Sequence, residues 1–162
     1  MALAPYGRSL GFTGLMDLTL ILLIALLPPV FFLLHSLVGL LLIIPYGCKS
    51  WKLTTRGLHI VASRRIWFGP SAQTHGGVIF FQHDGAQDYE PLVRHEFTHV
   101  QQCLLFGAIY PATYILSFAF FYLIVKLKLD WWERNSYDDD VWHAYRMIPW
   151  ERWAYHVQKN VR

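Results

Sequence analysis

Charge is scarce in this chain. Asp, Glu, Lys and Arg make up 15% of its 162 residues while hydrophobic types make up 54%, and mean hydropathy is positive at +0.29. A soluble domain carries more charge than this, so the balance points to a membrane protein. The formal charge of +3 is small and scattered, which excludes a nucleic-acid footprint. Cysteine is nearly absent. Cys48 and Cys103 cannot build a disulfide framework, and they fit a reducing compartment as well as any other. Internal repeats and low-complexity segments are missing. A cleavable leader is not expected either, because the first apolar stretch is too long for one and has no small-x-small cleavage site. Pro45-Tyr-Gly-Cys48 brushes against a lipobox, but Pro45 and Tyr46 fit it poorly. The length suits one domain.

What the chain has instead is two long apolar stretches. From Leu10 to Ile44 the only ionisable side chains are Asp17 and His35. A helix over that run would be about 52 Å long, well beyond a bilayer core of about 30 Å. Pro28-Pro29 removes amide donors in the middle, so residues 10–45 are predicted to form a helical hairpin, with one long kinked helix as the alternative. Asp17 is expected at the membrane interface. Residues 46–90 carry Lys49, Lys52, Arg56, Arg64 and Arg65 among glycines and β-branched residues. Leu58–Ala62, Arg65–Phe68 and Val78–Gln82 read as short strands of a small β region, with Val78–Gln82 as its edge. Pro91 opens a helix that should reach Phe106, Gly107 and Pro111 mark a turn, and Ala112–Leu129 reads as a second apolar helix ending in Lys126 and Lys128. The tail, residues 130–162, holds Trp131, Trp132, Trp142, Trp150 and Trp153, which suit a bilayer interface. Asp138-Asp139-Asp140 reads as a solvated turn or a helix N-terminus.

Inside the helix from Pro91 lies His95-Glu96-Phe97-Thr98-His99. Histidines four apart on a helix share one face and are one turn apart, so a single ion can take both imidazoles. Glu96 then sits beside that ion and can take a proton from its water. Composition alone would produce such a match on the order of one per cent of the time. The plainer reading is a helix whose two histidines hydrogen-bond within a core. This H-E-x-x-H pattern resembles the metal-binding helix of the zincin metallopeptidases. Zincins with the longer metzincin motif would carry Gly at 102 and His at 105, where this chain has Gln102 and Leu105. Cys103 lies about 12 Å along the axis from His95, too far to share the ion with both histidines.

Glu151 stands in Ile148-Pro-Trp-Glu-Arg-Trp-Ala-Tyr155. Pro149, Glu151 and Ala154 match a Pro-x-Glu-x-x-Ala pattern, and here the chain resembles zincins of the gluzincin type. The resemblance covers roughly residues 78–158, and its H-E-x-x-H part is much the more specific. It implies Zn2+ held by His95, His99 and Glu151, with Glu96 as the catalytic base and Ala154 letting the two helices approach closely. Glu133, His143, His156 or an aspartate are the alternatives for the third ligand. For Glu151 to meet the histidines, the helices of residues 91–129 must pair and return to one membrane face. The lysines and arginines of 46–94 and 126–162 would share that face, making it cytoplasmic by the positive-inside tendency.

The expected molecule is a mainly α membrane protein of the inner or plasma membrane: helical hairpins, a small β-sheet and a minimal zincin-like metal-binding core. Its expected activity is that of a zinc metallopeptidase whose partners are the lipid bilayer and a membrane-proximal peptide or protein, with no nucleic acid. His143, Tyr145, Tyr155 and His156 are candidates to stabilise the tetrahedral intermediate, though each has a purely structural reading too. Thr98, Gln101 and Gln102 are candidates to orient the imidazoles; Gln101 is equally a plain surface residue. His35, His59, His75 and His83 show no ligand spacing. A diiron oxygenase needs several histidine boxes, and this chain has one. Two alternatives keep the same site: a non-catalytic protein stapled by zinc, and a zinc hydrolase of lipid-linked amides or esters.

Overall fold

The computed structural model describes residues 13–67, 71–129 and 139–159, and side chains from residue 25 onward. Its first element is one helix, α1 (Thr13–Leu41), which carries Pro28 and Pro29 inside it. The hairpin expected over residues 10–45 is therefore not formed. Two missing amide donors cost less than turning the chain, which would strip partners from the backbone groups of an apolar segment that has nothing else to bond. Asp17 lies outside the described side chains. A short helix, α2 (Ile43–Tyr46), ends the apolar run.

Four strands follow: β1 (Ser50–Thr54), β2 (Gly57–Val61), β3 (Ala72–His75) and β4 (Val78–Phe81). They form one mixed sheet in the order β1-β2-β4-β3. The β1–β2 and β3–β4 pairs are antiparallel, and β2 runs parallel to β4, with Ile60 opposite Phe80. β4 is thus interior, and the edge beside the following helix is β3, not Val78–Gln82. The physical reason is in the side chains. Every residue of β4 is buried, because its alternating faces feed two cores. Val78 and Phe80 join Tyr46, Ile60 and Ile66 on one side. Ile79 and Phe81 join Val93 and Val100 on the other. The polar Ala-Gln-Thr-His of β3 hides a strand from hydropathy. Arg65–Phe68 does not form the expected strand within its described residues; Ile66 turns inward and its N–H bonds Gln82 Oε1 at 2.8 Å.

The helices α3 (Glu90–Phe106), α4 (Ile109–Lys126), α5 (Asp140–Met147) and α6 (Pro149–Lys159) complete the chain. Asp139 caps α5 by accepting from the Val141 N–H at 2.8 Å, so the described part of the acidic run serves a helix N-terminus. The α1 helix packs along α3 and against the β3–β4 turn. Ser36 Oγ accepts from the Gly77 N–H at 2.8 Å. At Gly76 (φ +58°) an added Cβ would come within 2.5 Å of the Ser36 nitrogen, and at Gly107 (φ +53°) within 2.8 Å of Pro28 Cα. Both close approaches require glycine.

Two helical stretches, Ala25–Tyr46 and Ile109–Lys126, are long and apolar enough to cross a membrane. The core helix of a soluble protein would be mostly covered, whereas these are 6% and 11% buried. Their exposed apolar side chains include Leu33, Leu37, Ile115, Leu116 and Phe120.

Candidate metal centre

The α3 helix faces the sheet with Val93 and Val100 and turns His95 and His99 toward α6. Pro149 opens α6, and Glu151 and Ala154 are its buried residues. Because Ala154 is fully buried, the small side chain lets α6 lie close to α3. The structure brings His95, His99 and Glu151 together, each no more than 5% exposed. His95 Nε2 is 3.2 Å from His99 Nε2. Glu151 Oε2 is 3.2 Å from His95 Nε2 and Oε1 is 3.1 Å from His99 Nε2. Yet Oε2 accepts no aligned hydrogen bond. Ligand atoms held at about 2.0–2.1 Å from one tetrahedral ion stand about 3.3–3.4 Å apart, so this donor set fits a first-row metal ion. It is the group of three such ligands among the described residues.

The electrostatics of the apoprotein fit the same geometry. Burial disfavours a charge on His99, but the Glu151 carboxylate outweighs it and raises the imidazole above its ordinary range. Burial also opposes the Glu151 carboxylate, and the His99 and His95 rings reverse that, holding it well below the ordinary range. An arriving ion competes with protons for the imidazole nitrogens, so its binding depends on pH.

The surrounding groups fix the ligands in place. Gln102, fully buried, accepts from His99 Nδ1 at 2.8 Å and donates its amide to the Trp150 carbonyl at 3.1 Å. It joins the two ligand-bearing helices and leaves His99 Nε2 free to face the centre. Tyr110 Oη lies 3.1 Å from His99 Nδ1, and Tyr114 Oη donates to Glu151 Oε1 at 2.7 Å. Trp150 Nε1 donates to Thr113 Oγ1 at 3.0 Å, and the indole packs on Phe106 and Tyr110. This tryptophan braces the site. Of the other residues predicted to orient the imidazoles, Gln101 is exposed and Thr98 bonds back to the Arg94 carbonyl at 2.9 Å.

Glu96 is buried beside the three ligands and is not one of them. Burial raises its carboxyl, and the nearby histidines and the Thr74 hydroxyl offset part of that rise. Thr74 Oγ1 donates to Glu96 Oε2 at 2.6 Å, so edge strand β3 holds this side chain. A cleft of about 460 Å³ opens over His95 and Glu96, between Ser71 and Ala72 on one wall and Trp142, Tyr145, Arg146 and Tyr155 on the other. Tyr155 packs against His95 with ring centroids 4.5 Å apart and the planes tilted by 59°. Among the candidates to stabilise an intermediate, Tyr145 and Tyr155 line the cleft, His143 is buried outside its lining, and His156 is exposed. Glu133, an alternative ligand, and Trp131 and Trp132 lie outside the described residues.

Cys103 turns away from the centre: its Sγ lies 3.3 Å from His35 Nδ1. Burial raises this thiol to about 11. His75 stands edge-on to His35 at 5.4 Å, and His59 meets Thr54 Oγ1 at 3.3 Å. Sequence reasoning missed Thr74, Tyr110 and Tyr114. The two tyrosines had a legible signal, since hydroxyls four residues apart in an apolar helix share one face and need partners. No family model, curated protein or solved structure matches the chain.

Proposed function

We propose that this protein is a membrane-embedded zinc metallopeptidase with His95, His99 and Glu151 as ligands and Glu96 as general base. The observation that carries the reading is a buried carboxylate, next in sequence to ligand His95 but outside the ligand set, that lines an open cleft. A structural ion pair needs one imidazolium and one carboxylate. It does not need a second imidazole aimed at the same point, nor a second buried acid facing a cleft.

Bound there, zinc supplies a Lewis acid for a carbonyl and lowers the pKa of its water toward neutrality. Glu96 takes a proton as the water oxygen bonds the scissile carbon, and returns it to the nitrogen as the C–N bond breaks. Its raised carboxyl suits a group that must both accept and release a proton. Tyr145, lining the same cleft, is the donor for the tetrahedral oxyanion. The β3 edge beside Glu96 offers backbone groups to an extended peptide. Two bare apolar helices support a centre at a bilayer, and the positive-inside tendency supports the cytoplasmic side for the sheet with its lysines and arginines.

Zinc content and peptide hydrolysis of the detergent-purified protein test this. Wild type should hold about one zinc per chain, and His99→Ala and Glu151→Ala should lose it. Glu96→Gln should keep its zinc and lose hydrolysis by about 10²- to 10⁴-fold. Full activity in Glu96→Gln refutes the base assignment. Zinc retained in Glu151→Ala refutes the ligand set. Zinc bound with no hydrolysis of peptides, or of lipid-linked amides and esters, would leave a metal that only staples the helices.

A further inference from the structure

A second groove, of about 320 Å³, lies on a different face of α3 from the metal cleft. Leu92, His95 and Glu96 face the cleft. Arg94, Phe97, Thr98 and Gln101, three and four residues apart, share the other face and line the groove with Arg56 of the β1–β2 turn and Val157 of α6. None of these described lining residues is acidic. The charge beside the groove is unbalanced. Glu90 accepts from Arg94 Nε at 2.6 Å and from Arg56 Nη1 at 2.8 Å, so two guanidinium groups share one carboxylate. The lysines of the sheet are matched one to one, Lys49 with Asp84 and Lys52 with Asp88. The positive charge left over by these pairs therefore lies at the groove. Each guanidinium carries five N–H donors, of which the bond to Glu90 uses one. Gln101, exposed, adds an amide, whereas the Thr98 hydroxyl is committed to the Arg94 carbonyl.

We propose that this groove binds a phosphate group, and that the headgroup of an anionic phospholipid is the source its walls match best. The two guanidinium groups reach the groove from separate elements, a turn of the sheet and α3. A tetrahedral oxyanion accepts bonds from several directions, and arginine's planar fork matches its oxygens. A planar carboxylate is already served by one fork. Phe97 and Val157 supply apolar wall, which suits the glycerol and acyl carbons of a lipid and gives nothing to a free phosphate. The α3 helix also lies along α1, whose bare apolar side chains suit lipid contact. Basic pockets beside such helices attract anionic headgroups. A volume of about 320 Å³ falls in the range of small-ligand pockets, about 300–1,000 Å³, and holds a headgroup with its chains lying outside. The groove contains none of the metal ligands, so phosphate binding here is independent of zinc and of hydrolysis.

Native mass spectrometry of the detergent-purified full-length protein counts bound lipid directly. Phosphatidylglycerol and phosphatidylcholine are compared at equal concentration; both carry a phosphodiester, but only the first is a net anion. One phosphatidylglycerol per chain should bind about fivefold or more tightly than phosphatidylcholine, the upper range for an exposed charge pair. Arg56→Ala and Arg94→Ala should each cut that preference. Lys49→Ala, which removes a cation away from the groove, should leave it intact. Glu90→Gln removes the competing carboxylate and keeps the shape of the side chain, so it should tighten phosphatidylglycerol binding by a similar factor. A calorimetric titration with inorganic phosphate separates the two sources. Phosphate binding that is lost in Arg94→Ala shows that the groove takes the free ion, and lipid binding without it identifies the phospholipid. The site is overturned if neither lipid nor phosphate binds, or if the two lipids bind equally and phosphate not at all. It is also overturned by a preference untouched by both arginine substitutions, by an equal loss in Lys49→Ala, or by weaker binding in Glu90→Gln.

Discussion

Gln102 shows how much of the proposed metal centre depends on a residue outside the ligand set. Its carbonyl fixes the tautomer of His99 and its amide grips the helix bearing Glu151, so one buried side chain sets the distance between two ligands. Replacing it with leucine keeps the volume and removes both bonds, leaving the His99 N–H to Tyr110 alone. Zinc affinity of Gln102→Leu, measured by competition with a chelator, should fall about 10- to 100-fold. Unchanged affinity would show that Tyr110 suffices to orient the imidazole. From the sequence, Gln102 was only one of three polar neighbours of the histidines. Thr98 and Gln101 sit on the same helix, and what separates them is which element packs against each face.

Among the elements, α3 is tied to the sheet as well as to the other helices. At its first turn Glu90 accepts from Arg94 at 2.6 Å and from Arg56, beyond β1, at 2.8 Å. These two guanidinium groups lower its carboxyl from 4.5 to about 2. A group whose pKa is depressed by folding stabilises the fold above its unfolded value and loses that contribution as pH falls. Here the contribution is present above about 4.5 and disappears toward about 2. Glu90→Gln should therefore be less stable than wild type at neutral pH, with the gap closing between those limits. Thermal unfolding in detergent across that range at low salt reads it, since salt screens an exposed cluster. A gap that stays constant would show that these ion pairs contribute nothing to stability. Elements also differ in how far they were legible. Helix α3 was, because Pro91 and its apolar spacing agree. The break in α1 was misread, because proline's local effect yields when no other partner exists for the remaining backbone groups.

Taken whole, the molecule is a pair of bare apolar helices with a sheet and a helical cap at one end. One unbroken α1 sets Thr13 about 40 Å along the helix axis from Leu41 at 1.5 Å per residue. Cys48, exposed just after α2, and Cys103, buried, make a built-in topology probe. A membrane-impermeant maleimide should leave intact cells unlabelled. It should label Cys48 once the membrane is permeabilised, and Cys103 only after denaturation. Labelling of Cys48 in intact cells would put the sheet, and with it the metal centre, on the outer face.

The sequence by itself determined where the apolar stretches lie, that two histidines and Glu96 share a helix, and that a later helix carries Glu151. Each follows from local periodicity, from proline at a helix start, or from a four-residue spacing. Only the tertiary structure decided that β3 and not β4 is the edge, since pairing order depends on which strand can bury both faces. It alone decided that Tyr110, Tyr114 and Thr74 reach the centre, and that Cys103 turns to His35 instead. Those choices depend on contacts between residues far apart in the chain, and a local pattern cannot carry them.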